Sequence, residues 1–553
     1  MAIFQLCSNN IMFLFILWIF PMLSITANSN PNWHCKKHYT LANWLNHGGD
    51  LYNQRNAYGE KKINPMSASK LRLKWEFKAG KDITATPAIY AGILYFPSWN
   101  GNIYAVRADD GVLVWKKSME ELTGISGKFN ASIVANVTSI VARATPSVVS
   151  DRDMVIVCVY GPSLALALKR SNGDLIWKTK LDNHPLSVVT MSGTYYKGAF
   201  YVGVSSLEEG AEADECCYFR GSFLKLDVKT GKILWKTFML PENGGKSGGY
   251  SGAAVWGSSP SIDSRRNHVY IATGNLYSVP KRIEECQQEQ NQQNHTNNPT
   301  QPNPCIEPEN HSDSILALDL DSGKIKWYKQ LGGYDVFILA CLNSTNPNCP
   351  LGPNLDYDFG EAPMMISVVV NQTKKVDIVA AVQKSGIAWA LKRDNGDILW
   401  STQAGPGGVS GGGIWGSATD TKRVYTGIAN SNNVNYTLSP STNVTTGGAW
   451  VAMDARTGEI QWTTAVPNRR RSNPVTIANG VLLGGATDPR GPVYAIDAKT
   501  GKILWSNETG ATVYGGVSVS NGCFYVGHGY KVNLGAFNPI TTGGTSLFAY
   551  CVC

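Results

Sequence analysis

One spacing recurs seven times in this chain: an eleven-residue segment whose seventh residue is glycine and whose last is tryptophan. The segments are AVRADDGVLVW ending at Trp115, ALKRSNGDLIW at Trp177, KLDVKTGKILW at Trp235, ALDLDSGKIKW at Trp327, ALKRDNGDILW at Trp400, AMDARTGEIQW at Trp462 and AIDAKTGKILW at Trp505. Each reads as a hairpin. An alternating strand ends in Asp, Asn, Ser or Thr beside the glycine, a tight turn uses that glycine's access to positive φ, and a second strand carries the tryptophan. Upstream of most lies a further strand pair of the type TPAIYAGILYF. Four strands per unit make a propeller blade, and a tryptophan held in register from unit to unit packs between neighbouring blades.

An eighth tryptophan, Trp75 in LRLKWEFKAG, follows no hairpin of its own, while the C-terminal SLFAYCVC has no outer tryptophan strand. The first strand therefore completes the last blade and fastens the ring. The expectation is an all-β, eight-bladed propeller with units of roughly 60 residues, a seven-bladed ring being the alternative count. Composition fits: of 553 residues 16% are charged, 56 are glycine and 16 tryptophan, which excludes a disordered chain, a coiled coil or a bundle of solvated helices.

Net charge is +8, with bases and acids interspersed. The densest basic run, Arg469 to Arg471, is too short for a nucleic-acid tail, so no nucleic-acid partner is expected; it reads as a solvated loop or an anion contact. The apolar run Ile11 to Phe20, followed by small and polar residues to Ala27, reads as a signal peptide over 1–27, with a retained anchor as the alternative. After its removal no span of about 18 uninterrupted apolar residues remains, so a secreted protein without a membrane span is expected. Nine Asn-x-Ser/Thr sequons, at Asn130, Asn136, Asn294, Asn310, Asn343, Asn371, Asn435, Asn443 and Asn507, agree with a glycoprotein. Cys286 with Cys305, and Cys341 with Cys349, bracket two polar insertions that disulfides would clip. The organisation is thus a leader (1–27), a lead-in segment (28–67) and the ring (68–553), with a Gln/Asn-rich insertion at 281–312.

The A-x-D-x-x-T-G-x-x-x-W hairpin, the opening NWLNHGGDLYNQRN, and the motifs CCYFRGS, VWGSSPSIDSRRNHVYIATGN, LDYDFGEAP and VQKSG resemble the pyrroloquinoline quinone (PQQ) dehydrogenases, in their polyvinyl-alcohol-dehydrogenase-like branch. The resemblance runs from Trp44 to the C-terminus. It implies PQQ and calcium as cofactors, a small-molecule or polymeric alcohol as substrate, and an external electron acceptor. No C-x-x-C-H haem motif is present in the sequence.

Carried over position by position, the resemblance implies that Trp256 in VWGSS stacks on the quinone, with Trp415 in the Gly-rich GPGGVSGGGIWGS as a second aromatic wall. Arg143 and Lys384 match cationic contacts to the quinone, and Thr190 and Ser205 match hydroxyl contacts. Glu208, Asn275 and Asp356 match hard oxygen ligands for calcium. Asp356, in LDYD, also matches the general base that takes the substrate's hydroxyl proton; Asp358 and Asp335 are the alternatives, since an ungapped match falls on Ile338. The lid disulfide that the resemblance implies just before Arg143 is replaced by Ile140, Val141 and Ala142, and Thr84 stands where an acidic quinone contact is expected. The vicinal pair Cys216-Cys217 lies in another blade, as an alternative lid or as structure. Substrate choice is expected to rest on the loops 118–136 and 286–305. A non-catalytic binding or assembly propeller is the rival function.

Overall fold

The computed structural model describes residues 28–29, 42–127, 129, 137–211, 216–292, 303–343, 345–370 and 374–552. The leader, and the sequons at Asn130, Asn136, Asn294 and Asn371, lie outside the described residues. Of the other sequons, Asn343, Asn435 and Asn443 are exposed, whereas Asn310 is buried with its side-chain oxygen accepting from the Ser312 amide, so a glycan cannot be attached there in the folded chain.

Eight antiparallel sheets follow one another as blades. In chain order, blades 1 to 7 cover 88–118, 147–180, 187–238, 261–330, 364–403, 418–465 and 471–508. Blade 8 is made of three strands from 518–551 and Arg72–Lys78 from the start of the chain, with the two-residue strand Asn28–Ser29 paired on its outer edge. That strand pairs antiparallel with Ser546–Cys551 in a register that sets Trp75 opposite Ala549. Disulfides join Cys286 to Cys305, Cys341 to Cys349 and Cys523 to Cys551, and Cys216 to its neighbour Cys217. Cys158 is a free, buried thiol. The Gln/Asn-rich insertion contributes the α-helix Lys281–Gln292.

The repeat has a direct packing cause. In each of seven blades the indole N–H donates to a backbone carbonyl of the next blade at 2.8–3.2 Å, as Trp115 does to Arg170 and Trp75 to Ala108 across the ring closure. The turn glycines have φ between +71° and +77°. They have a second duty: at Gly231, Gly396 or Gly458 an added Cβ would come within 2.6 Å of the preceding blade's indole. A glycine four residues before each tryptophan is therefore the seat for the neighbouring blade's tryptophan. Thr179, Thr237, Thr402 and Thr464, two residues after their tryptophans, add a hydroxyl bond of 2.7–2.8 Å to that same turn's carbonyl.

The lead-in segment closes one end of the axis. Inner strands of a propeller present an unpaired edge, and here residues 42–55 visit those edges in turn. Trp44 N–H donates to Ile89 of blade 1, and the carbonyls of Leu45, Leu51, Tyr52, Gln54 and Arg55 accept from Val148, Ile262, Met365, Thr419 and Ile477 of blades 2, 4, 5, 6 and 7. Asn46 reaches Thr194 of blade 3 at 3.0 Å, and Ser520 of blade 8 donates to the Ala42 carbonyl at 2.7 Å. One short segment is thus stitched to all eight blades.

Candidate active site

A cavity of about 890 Å³ opens on the axis, in the size range of cofactor and small-molecule sites. Its walls bring together Arg143, Thr190, Ser205, Trp256, Asn275, Asp356, Lys384 and Trp415, residues from three blades and four interblade connections. Glu208 is the exception. Its carboxylate accepts from the amides of Tyr218 and Phe219 at 2.7 and 2.9 Å and faces His184 Nε2 at 3.1 Å. Both oxygens accept from the loop that follows the Cys216–Cys217 disulfide, and Glu208 does not line the cavity. The adjacent Glu209 lines the cavity instead. The GVSSLEE sequence held both carboxylates, and only the course of the short 3-10 turn Glu208–Gly210 decides which one points inward.

Asp356 and Asp358 flank the Lys384 ammonium, each with Oδ1 at 2.7 Å from Nζ. Asp358 Oδ2 also accepts the Trp256 indole N–H at 2.7 Å, and the ammonium lies 5.4 Å from the Trp256 ring. One cation thus bridges the two carboxylates of LDYD and ties them to the aromatic wall. Burial raises the Asp356 carboxyl well above its ordinary range, the Lys384 charge opposes this, and the Asp358 and Glu209 charges add to it. Burial lifts Glu209 to about 7, with Lys384 pulling the other way. Lys384 itself is held protonated: burial lowers its pKa, but the Asp356, Asp358 and Glu209 charges raise it further than burial lowers it.

Asp335 supports the segment from behind. Its two oxygens accept the amides of Leu355, Asp356 and Tyr357 at 3.0, 3.1 and 2.6 Å, which holds Asp356 at φ +53°. An L-residue adopts that conformation only when its surroundings impose it. Asp335 therefore holds the backbone of this segment, while Asp356 and Asp358 line the cavity.

Trp256 and Trp415 meet edge to face at 4.9 Å between ring centres. The Arg143 guanidinium sits 4.6 Å over Trp415. Trp415 N–H donates to Gly360 O at 2.9 Å, and its indole donates to Tyr514 at 2.6 Å. Its carbonyl takes a short hydrogen bond from His47 of the lead-in segment. Burial first, then the Arg55 charge, hold the His47 pKa well below its usual value, so the ring is neutral; a carbonyl only accepts, so Nε2 carries the proton and Nδ1 accepts from Thr86 at 3.2 Å. Gly416 must follow Trp415 because a Cβ there would lie 2.7 Å from the Arg55 side chain. Arg55, fully buried, donates to the His47 and Val475 carbonyls and to Thr476.

Thr190 donates to the Trp256 carbonyl at 2.9 Å and lies 3.3 Å from Ser205. The Asn275 amide N–H groups go to the Leu276 and Phe337 carbonyls, which turns its oxygen to other acceptor work. No described residue of 118–136 or 286–305 lines the cavity; the exposed lining residues Leu342, Ser410 and Leu534, with Leu339 and Val409 beside them, mark its mouth. Residues 128, 130–136 and 293–302 of those two loops lie outside the described residues. Cys216 and Cys217 are also absent from the cavity wall.

The family model for the glucose/ethanol/alcohol dehydrogenase β-propeller domain matches residues 44–421. The chain belongs to the PQQ-dependent alcohol dehydrogenase family. It is 30% identical over 533 residues to a polyvinylalcohol dehydrogenase of Sphingopyxis sp. (strain 113P3), covering 87% of this chain and 72% of that one. A polyvinylalcohol dehydrogenase of a Pseudomonas species is 28% identical, covering 85% and 70%. The structure superimposes on quinohemoprotein alcohol dehydrogenase from Comamonas testosteroni with a TM-score of 0.66 at 18% identity, over 92% of this chain and 80% of that one, which speaks for the shared fold. Residues 384–521 and 445–543 also match the family model of the outer membrane protein assembly factor BamB.

Proposed function

We propose that this member of the family oxidises an alcohol group at the axial cavity, using PQQ with calcium, and hands the electrons to an external acceptor. The observation that carries the reading is the convergence of a base, a cation and an aromatic wall: Asp356, Lys384 and Trp256 lie within one hydrogen-bonded cluster facing the cavity.

The residues present suit both groups. A planar, anionic quinone finds the Trp256 and Trp415 rings and the Arg143 guanidinium, which has no carboxylate partner among the described residues. For calcium, Glu209, Asp356, Asp358 and the Asn275 amide oxygen are hard donors. Burial raises the carboxyls of Glu209 and Asp356, the Lys384 charge opposes this, and the charge of Asp358 adds to it. Among the described residues no three His, Cys, Asp or Glu side chains are grouped so as to hold a metal ion by themselves, so these donors would hold calcium with fewer than three such side chains at once.

When bound, the pair supplies a two-electron acceptor and a Lewis acid beside it. The protein does the rest. Asp356 accepts the substrate's hydroxyl proton, its carboxyl raised above the ordinary carboxylate range by burial and so a stronger base than an exposed aspartate. Lys384 fixes the direction of that carboxylate and, as a permanent ammonium, stabilises negative charge developing on a neighbouring oxygen. Asp358 ties Lys384 to Trp256, and Asp335 holds the loop, so base and aromatic wall move as one body. The apolar mouth of Leu339, Leu342 and Leu534 suits an alkyl or polymer chain, in line with the substrate named for the Sphingopyxis relative. The chain is read as secreted, on the apolar N-terminal run and four cystines.

Reconstitution of the secreted chain with PQQ and calcium, followed by dye reduction with primary, secondary and polymeric alcohols, tests this. Turnover that needs both additions is expected. Folded protein that binds quinone but oxidises no alcohol would favour a changed reaction, and one that binds none would favour the assembly scaffold suggested by the second family match.

A further inference from the structure

The three consecutive arginines at 469–471 have three different fates. Arg469 is exposed, Arg470 is paired with Asp488 at 2.9 Å, and Arg471 turns into the wall of the axial cavity. Arg471 opens the inner strand of blade 7, opposite Thr487 in the register. Among the described residues its side chain makes one hydrogen bond, a 3.3 Å contact to the Ser431 carbonyl, and no carboxylate pairs with it. Burial lowers its pKa without an opposing acid, the pattern of a desolvated cation lacking its counter-ion.

The charges of the cavity are sorted to two sides. Blades 3 to 5 and their connections present Glu209, Asp356 and Asp358 with Lys384 among them. Blades 7 and 8 present Arg471, Asn473, Tyr514, Tyr530 and Asn533, with no carboxylate. Arg143 belongs to the aromatic floor, over Trp415. Arg471 is higher: Ser431, whose carbonyl it meets, also accepts the Ser410 amide through its hydroxyl at 3.3 Å, and Ser410 with Val409 forms part of the mouth. Beside it Asn473 is fixed, its oxygen accepting from Thr487 at 3.1 Å and its amide donating to the Val513 carbonyl.

We infer that Arg471 is the centre of a second anion subsite, on the blade 7 wall near the mouth, that binds a carboxylate group. A guanidinium fork suits a carboxylate in a way an ammonium does not. The carboxylate has two sources: one borne by the quinone itself, or one carried by the alcohol substrate, which would make hydroxy acids or acid-bearing polymers the preferred class. The inference rests on the proposed function for its quinone arm and substrate arm, but not for binding of a simple carboxylate.

Three titrations of the full chain and of Arg471→Gln decide it, with Arg471→Lys as the charge-retaining control. Citrate binding, measured by calorimetry without quinone, is expected in the wild type, lost in Arg471→Gln and partly kept in Arg471→Lys. PQQ affinity, read by tryptophan quenching with calcium, falls at least tenfold in Arg471→Gln if the carboxylate is the quinone's. If it is the substrate's, PQQ affinity is unchanged and KM for 6-hydroxyhexanoate rises at least tenfold while KM for 1-hexanol does not move. Citrate binding without any quinone binding would uphold the subsite and defeat the quinone reading. Equal behaviour of wild type and Arg471→Gln towards all three ligands, or no citrate binding by either protein, overturns the inference. Equal melting temperatures for the variants separate these results from misfolding.

Discussion

The two ends of the ring axis are closed and opened by different kinds of sequence. At one end, residues 42–55 make at least one backbone or side-chain bond to each blade, and a neutral His47 and a buried Arg55 carry that stitching inward to the Trp415 backbone. At the other, nothing repeats: the walls are Arg143, Glu209, Asp356, Lys384 and Arg471, each from a different blade or connection and each charged. Between them lie the blades, whose hairpins are interchangeable in design. The contrast teaches where selection for shape stops and where chemistry begins. Trp400 and Trp256 are both indoles hydrogen-bonded through the ring N–H, one to a backbone carbonyl of the next blade and one to a carboxylate at the cavity.

The comparison can be broken deliberately. Asp356→Asn removes the proton acceptor and leaves the ring untouched; kcat of the reconstituted enzyme is expected to fall about 10³-fold, roughly 4 kcal/mol of barrier, with quinone affinity nearly kept. The two tryptophans should then separate. Trp400→Ala is expected to cost about 3 kcal/mol of stability in denaturant unfolding, since it empties a buried interblade seat, whereas Trp256→Ala mainly lowers quinone affinity. Equal destabilisation by both would erase the distinction between structural and functional indoles.

A smaller effect crosses from one end of the axis to the other. His47→Ala removes the donor to the Trp415 carbonyl, and a lost buried hydrogen bond of about 1–1.5 kcal/mol predicts a quinone Kd raised roughly tenfold, without the loss of kcat that Asp356→Asn brings. The smallest concerns pH. Burial raises the Glu361 carboxyl to about 7, against bonds from the Val382 and Ser417 amides and the Arg55 charge. The folded chain therefore holds a proton that the unfolded chain has released across about pH 4.5 to 7, and this group makes stability fall as pH rises through that window, by at most about 1.4 kcal/mol per pH unit. Glu361→Gln should flatten that slope in melting curves; an unchanged slope would show that another group sets it.

How far the sequence reached follows the same division. The Gly-x-x-x-Trp spacing is enforced by one contact made over and over, an indole on the next blade's turn, so it survives in the sequence as a period and the ring was legible from it. Trp256, Asn275, Asp356 and Lys384 were legible through motif resemblance and do share one cavity. Glu209 was not, because two adjacent glutamates differ only in how a single turn directs them. Nor was Arg471, one of three identical neighbours separated by the position of Asp488 and by the start of a strand. The lead-in segment was recognised as a unit, but its bonds to eight blades are long-range and leave no local pattern.

Saturation of tryptophan quenching by PQQ in the presence of calcium tests the central claim most directly, comparing wild type with Trp256→Ala. The account predicts one quinone bound per chain, with affinity weakened at least tenfold in the variant while the melting temperature stays close to wild type. Wild-type protein that shows no saturable quenching, or a variant that binds the quinone as well as the wild type, would contradict a quinone seated against Trp256 on the axis of this ring.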